Sequence, residues 1–376
     1  MKWTTYVQHV NDLELIQQNG LSEIICSTRD FSRDTNTSKE NFLTIIEKAR
    51  ELNLRIVFEW DVLDCENVFE KKCALFLQLP LDKIDVIRVQ DIGALQFVLD
   101  KTTLPIQLIR ENTDHNLLGL QTWRDLIGER LDRLVLSNEL NQKKLAEYKS
   151  ALACQIEILV YGKILLFYTP RALLSSEDLQ DGETLRALGT SEESPHSGFP
   201  IHENKHGTFM YHIKDLYLLD KYEELQNLGL DFWRVDLRDK DLSLLKELIE
   251  INSNASGVAV KSKLPGKLTR GYFQTNKTDV LFKKLKNYRV QRRDESYVGE
   301  IIEIQNKQYM ALMVRANKLH KEAKLKFISP DGKEYTTHLS SLRDAQMNDQ
   351  ESIPKGELAI IKYKGGVWPK SQVYLQ

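Results

Sequence analysis

The sequence predicts an α/β fold, a (β/α)8 TIM-like barrel followed by a small C-terminal all-β barrel domain. Three observations lead there. Strand-like and helix-like segments alternate with short connections through the N-terminal half, the rhythm of βα units around a parallel sheet. The 376 residues exceed one ordinary domain and suit a large barrel with an appended module. Beyond Asp294 the texture changes to short alternating runs separated by turn signals.

In chain order, the strand candidates are Thr5–Val10, Glu23–Cys26, Arg55–Glu59, Val86–Val89, Ile106–Ile109, Arg133–Leu136 and Ile156–Val160. In the last of these, Ile156, Ile158 and Val160 alternate with Glu157 and Leu159. Phe42, Ile45, Ile46 and Ala49 fall at helical spacing, and Asn19-Gly20 and Gly128 mark helix ends. From Glu177 to Gly207 neither period persists, and the Ser, Glu, His, Gly and Pro content predicts a long loop or lid. Helical spacing returns over Lys214–Leu228, followed by a strand at Phe232–Leu237, a helix through Leu242, Leu245, Leu248 and Ile249, and a last strand at Gly257–Val260. The barrel is thus expected over 1–290. A β domain is expected over 295–376, from Val298–Ile304, Ala311–Arg315, Lys324–Ile328 and Leu358–Tyr363, with turns at Ser329-Pro330-Asp331-Gly332 and Lys364-Gly365-Gly366.

Composition narrows the function classes. Fifty-two Lys and Arg balance 54 Asp and Glu, so net charge gives no global reason to expect nucleic acid or membrane. No apolar run approaches the roughly 20 residues of a membrane helix. Met1-Lys2 leads directly into a strand pattern without a secretory signal, so a cytoplasmic location is expected. The four cysteines, Cys26, Cys65, Cys73 and Cys154, lack CxxC spacing and predict neither a disulfide framework nor a zinc site. His202 and His206 have the spacing for one-face metal binding only on a helix, which their surroundings do not favour, so no metal is expected. There is no Walker A loop, GxGxxG turn or GxSxG elbow.

Polar residues gather after the apolar strands: Arg29-Asp30, Glu59 and Asp61, Gln90-Asp91, Glu111 with Asp114 and His115, Asn138-Glu139, Tyr161 and Lys163, Asp236 and Arg238. In a barrel these ends converge on one face, where functional groups come from several strands. The same residue types also cap helices and solvate loops. Gln90, Asp91, Glu139, Tyr161, Lys163, Tyr168, Arg171, Asp236 and Arg238 are the pocket candidates. The arginines suit a small anionic ligand, because guanidinium grips carboxylate or phosphate with two donors.

Several of these segments resemble the collagenase-like peptidase family U32, over nearly the whole chain. Leu159-Val160-Tyr161-Gly162-Lys163-Ile164-Leu165 is similar to the family's Phe-Val-His-Gly-Ala-Leu-Cys, and Thr169-Pro170-Arg171-Ala172 to its Ser-Gly-Arg-Cys. Leu173-Leu174-Ser175 matches Leu-Leu-Ser, and Val89-Gln90-Asp91-Ile92-Gly93 resembles the Gln-Asp-Leu-Gly turn. Arg133-Leu134-Val135-Leu136 with Glu139-Leu140 resembles Arg-Val-Val-Leu…Glu-Leu-Ser. Lys214-Asp215-Leu216 matches Ser-Lys-Asp-Leu, Asp236-Leu237-Arg238 stands where Glu-Gly-Arg is usual, and Arg270-Gly271-Tyr272 resembles the Arg-Gly-Tyr/Phe before the terminal domain.

The resemblance implies a barrel with a terminal β domain. It also implies, for members that hydroxylate RNA pyrimidines or quinones, a cysteine-bound iron–sulfur cluster. Leu165 and Ala172 replace two of those cysteines, the Cys-x-Gln-Pro-Cys-Arg segment is absent, and Tyr161 replaces the histidine. A cluster needs about four thiolates. No cofactor is therefore expected, and the chain looks like a divergent member: an enzyme or accessory factor linked to tRNA or rRNA modification. A collagenase-like protease and a ligand-binding pseudoenzyme are the alternatives.

The strongest local charge runs from Lys261 to Arg293, eleven basic residues against Asp279 alone. Interleaved aromatics make it an RNA-contacting candidate, with Lys283, Lys284, Arg292 and Arg293 on phosphates and Tyr272 or Tyr288 stacking on a base. It reads equally as a solvated face and linker whose aromatics anchor the barrel. The sequence does not fix oligomeric state.

Overall fold

The computed structural model describes residues 1–175, 179, 182–190, 197–274, 294–330 and 332–376. The chain divides into two compact units, Met1–Asn276 and Lys277–Gln376.

In the first unit, β1 (Lys2–Tyr6), β2 (Glu23–Cys26), β3 (Arg55–Trp60), β4 (Val86–Val89), β5 (Ile106–Ile109), β6 (Leu131–Val135) and β7 (Ile156–Gly162) pair in chain order, all parallel. Between β7 and the strand that closes the ring, the chain makes a lobe: β8 (Leu165–Thr169), β9 (Leu185–Thr190), β10 (Ser197–Asn204) and β11 (Gly207–Tyr211), an antiparallel sheet in the order β8-β11-β10-β9. A short strand β12 (Asp215–Tyr217) then runs antiparallel to β7. Finally β13 (Phe232–Val235) enters between β7 and β1, with Phe232 beside both Glu157 and Lys2. Among the described residues, eight parallel strands thus close a TIM-like barrel.

The strands are buried on both sides, as a parallel sheet covered by helices requires. The outer layer is set by amphipathic helices with side-chain caps. In Lys39–Glu51, Ser38 accepts from the Asn41 amide and Phe42, Ile45, Ile46 and Ala49 face the core. Asn116 and Asn141 cap Leu117–Ile127 and Gln142–Leu152 in the same way.

Several expectations shift. Thr5–Val10 is displaced toward the N-terminus, because Lys2–Thr5 pair with β13 and the chain turns into a helix at Asp12. The segment expected as a loop or lid over 177–207 contains the whole of β9 and β10. The helix expected over Lys214–Leu228 is a strand, a single 3-10 turn and a helix confined to Tyr222–Asn227. Gly257–Val260 is not a strand: it lies in the helix Asn254–Lys261, which starts at a capping box between Ser253 and Ser256. Gly257 itself packs so closely on the Leu219 carbonyl that a Cβ would sit 1.9 Å from the oxygen.

In the second unit a seven-stranded antiparallel sheet forms a half-barrel. Its strand order is Glu334–His338, Lys324–Ile328, Gln372–Leu375, Tyr297–Gln305, Tyr309–Val314, Leu358–Lys362, Leu342–Arg343. Val298, Ile301, Leu312, Phe327 and Val373 form its buried core.

Candidate functional site at the C-terminal face of the barrel

The barrel interior is charged where such barrels are ordinarily filled by branched aliphatic side chains. Arg133 forks onto Glu23 at 2.8 and 2.9 Å and reaches Glu157 at 2.9 Å. Arg88 forks onto the same Glu157 at 3.0 and 2.9 Å and gives Nε to Glu59 at 3.1 Å, while Arg234 gives Nε to Glu157 at 2.8 Å. Three guanidiniums therefore share one carboxylate. Burial alone would push Glu157 up; Arg88 and Arg133 outweigh it and hold the carboxyl below its usual range. One layer higher, Glu59 accepts from the Tyr6 hydroxyl at 2.8 Å, and burial followed by the nearby Asp61 charge raises its pKa.

On this floor sits a cavity of about 380 Å3, walled by the loop after β2, the ends of β7 and β13, and the lobe. Arg238 is its best-defined group. It forks onto Asp236 at 3.0 and 2.6 Å, its guanidinium lies 3.7 Å over the Tyr6 ring, and its buried Nη1 has no hydrogen-bond acceptor among the described residues, Glu59 being 3.8 Å away. Burial would raise Asp236, but Arg238 reverses that and keeps it ionised well below the usual carboxylate range. Gly162 makes this geometry available. At φ +146, a Cβ there would stand 2.8 Å from the Asp236 Cβ and 3.1 Å from its carbonyl oxygen.

Lys163 follows Gly162 into the cavity, bonded to Asp239 at 2.9 Å and 5.3 Å from the Tyr211 ring. Tyr211 donates to Asp34; burial and then that carboxylate push its phenol far up. His202 meets Tyr211 edge-on at 5.3 Å, and burial and then Lys163 lower its pKa, favouring neutral imidazole. Arg234 also pairs with Glu111 at the cavity wall. The lobe is tied to the loop after β2 by Asn204 to the Arg33 carbonyl at 2.9 Å, by the His206 ring to the Arg29 carbonyl at 2.7 Å and by Lys205 to Asp30 at 2.8 Å.

Of the sequence candidates, Lys163, Asp236 and Arg238 line this cavity. Gln90 lies beside it, accepting from Arg33 at 3.3 Å. The others are placed elsewhere. Asp91 caps the helix Ile92–Lys101 through the Ala94 amide at 2.9 Å. Glu139 is half-exposed, 3.8 Å from His115. Tyr161 is buried beside Tyr217, its hydroxyl without a partner among the described residues, and burial pushes it up to about 12. Tyr168 bridges the Leu63 amide and the His206 carbonyl, and Arg171 is exposed.

Sequence reading missed Arg33, Asp34, Tyr211 and Arg234. Ser32–Thr37 has the composition of a turn, Tyr211 follows the segment expected as a loop, and Arg234 sits inside an apolar strand. Only the surplus of polar side chains at inward positions of β3, β4, β6, β7 and β13 could have signalled the ionic interior.

Of the RNA candidates, Lys283, Lys284, Tyr288, Arg292 and Arg293 fall outside the described residues. Tyr272 is half-buried, and the start of the basic strip is neutralised. Lys261 and Arg270 pair with the buried Asp220, Lys263 pairs with Glu247, and Phe273 is buried in the core.

The residues present do not fit an iron–sulfur cluster. Leu165 packs with Phe209 and Tyr211, and Ala172 is exposed. The thiols are dispersed: Cys26 in β2, Cys65 and Cys73 at opposite ends of Glu66–Phe76, Cys154 after Gln142–Leu152. Among the described residues there is no group of three or more His, Cys, Asp or Glu that could hold a metal, and no helix long and apolar enough to cross a membrane.

Comparison with known proteins adds sequence relatives. The chain is 27% identical over 139 residues to tRNA hydroxylation protein P2 of Bacillus subtilis (strain 168), covering 35% of this chain and 45% of that protein. It is 19% identical over 295 residues to tRNA hydroxylation protein P1 of the same organism, covering 69% and 66%. It thus spans less than two thirds of either. A solved U32 peptidase structure aligns at 10% identity over 44% of this chain and 70% of its own, with a TM-score of 0.36. The model of Peptidase family U32 matches residues 8–278, the barrel beyond β1 with its lobe and its ionic floor, and the chain belongs to that family.

Proposed function

We propose that this U32 chain serves tRNA modification of the hydroxylation type, as an enzyme or accessory factor working without an iron–sulfur cluster. The cavity on the C-terminal barrel face would be its binding site. The observation that carries this is Arg238, held by Asp236 and stacked on Tyr6 in the wall of a cavity of about 380 Å3. A group so fixed offers a preorganised positive charge at low entropic cost. The volume lies in the range of small-ligand sites, and Gln8, Asn36, Asn41 and Asn204 supply neutral donors and acceptors beside the charges. That mixture suits one polar ligand, such as an extruded nucleotide or a small anion. The two Bacillus subtilis relatives, named for tRNA hydroxylation, supply the nucleic-acid context. A cytoplasmic location belongs to this proposal.

A protease reading finds less support. Among the described residues the cavity lining holds neither Ser nor Cys, and the Ser175 hydroxyl donates to the Glu203 carboxylate at 2.7 Å.

The test is nucleoside mass spectrometry of tRNA from cells lacking the gene, with and without the wild-type copy. A hydroxylated nucleoside should fall on deletion and return on complementation. An unchanged nucleoside profile would remove the tRNA reading.

A further inference from the structure

The second unit presents a tryptophan in a way its own folding does not require. Of the five tryptophans, Trp60 and Trp233 are buried and Trp3 and Trp123 half-buried, whereas Trp368 is 63% exposed. A single exposed apolar side chain is ordinary. The backbone around this one is not.

Before it, Val367 is buried and Gly366 packs against Tyr335, where a Cβ would meet the ring at 2.5 Å. The Gly366 carbonyl accepts from the Ser329 hydroxyl at 3.2 Å. After it, the Trp368 amide donates to the Ser371 hydroxyl at 3.1 Å, and its carbonyl accepts from the Ser371 amide at 3.0 Å. That closes a tight turn with Pro369 in the second position and Lys370 in the third. Lys370 has φ +69, where glycine or asparagine is usual, and its amide donates to the Ile301 carbonyl at 2.6 Å. The chain is thus fixed on both sides of the indole while the ring itself stays in water. A lysine occupies the strained position.

Along this last stretch of the sequence charge has one sign. No Asp or Glu follows Glu357, while Lys362, Lys364 and Lys370 do. Among the described residues these three lysines make no ion pair. Elsewhere in the same unit Arg315, Lys321, Lys326 and Arg343 pair with Glu300, Glu351, Glu334 and Asp349.

We propose that Trp368, with Lys362, Lys364 and Lys370, is a stacking platform for an unpaired nucleotide of RNA. An exposed aromatic face on a fixed backbone accepts any base, and lysines left without carboxylates attract phosphate. A protein partner for so large an apolar side chain would favour an apolar surround with charge depleted, the opposite of this loop. The proposal rests on the tRNA reading above and assigns a contact site outside the barrel cavity.

The experiment titrates the full-length protein with a short unstructured oligoribonucleotide, read by tryptophan fluorescence and by retention at several salt concentrations. The wild type should be quenched. Trp368→Ala should lose about tenfold in affinity with the salt slope unchanged, and Trp368→Phe should recover most of it. Lys370→Gly, which relieves the strained turn, should fold at least as well and lower the log–log slope by about 0.7. Unchanged affinity in Trp368→Ala overturns the platform. So does an emission change produced by anionic phospholipid vesicles but not by the oligoribonucleotide. If Trp368→Ala binds normally while deletion still removes the hydroxylated nucleoside, the platform alone fails. If the wild type binds no RNA and deletion changes no nucleoside, both readings fail.

Discussion

Arg238 and Asp236 show how much depends on one fork. Each side chain of the pair is only 11% exposed at the cavity edge, so removing one partner strands the other charge in a low-dielectric site, which costs about 3–5 kcal/mol. Arg238→Ala should therefore destabilise the barrel on that scale in a denaturant titration, whereas Arg238→Lys should retain most stability while losing the two-donor geometry. If both variants unfold at the wild-type midpoint, the pair is not the anchor described here. Gly162→Ala tests the same contact from the other side. Its methyl group would meet the Asp236 Cβ, and the φ of +146 disfavours any side chain. At this scale Lys163, Asp236 and Arg238 were legible because they follow apolar strands. Tyr161 and Glu139 were not separable from them, since a sequence shows which residue ends a strand but not on which side of the wall it lands.

Among the elements, the lobe depends on a few buried polar groups. The Glu203 carboxylate accepts from the amides of Leu173, Leu174 and Ser175 and from the hydroxyls of Thr208 and Ser175, so the Leu173-Leu174-Ser175 segment is fixed to β10. Burial would raise this carboxyl; the Thr208 and Ser175 bonds reverse that and bring it down to about 2. For an acid with a depressed folded value, the stabilisation is present above the unfolded value near 4.3 and is lost as pH falls toward about 2. His206 acts at milder pH. Burial, with Lys72 nearby, lowers its imidazole to about 4, so between about 6.5 and about 4 the unfolded chain binds the extra proton. Stability should fall as pH drops through that window, and His206→Gln should flatten this part of a melting-temperature profile. An unchanged profile would mean that His206 is not buried neutral. These strands escaped sequence reading because β9 and β10 mix glycine, proline, histidine and serine without a clean period of two. In contrast Val86–Val89 and Ile106–Ile109, each with three apolar residues in four, were legible to the residue.

For the whole molecule, the repeated βα rhythm made the barrel legible. The late assignments failed where local pattern was overridden by pairing: β12 is short and held by β7, and Gly257 is helical because Ser253 caps it and the Leu219 carbonyl leaves no room for a side chain. The ionic floor was not legible, because its partners lie far apart in the chain, as Glu23 and Arg133 do. We propose that the cavity above this floor carries the chain's part in tRNA modification. Its most direct measurement is the level of the hydroxylated nucleoside in tRNA from gene-deleted cells that express Arg238→Lys at wild-type abundance. We expect a drop of about tenfold or more against the wild-type copy, because the charge remains but the two-donor grip is lost. A wild-type nucleoside level with Arg238→Lys present in that amount would contradict the claim.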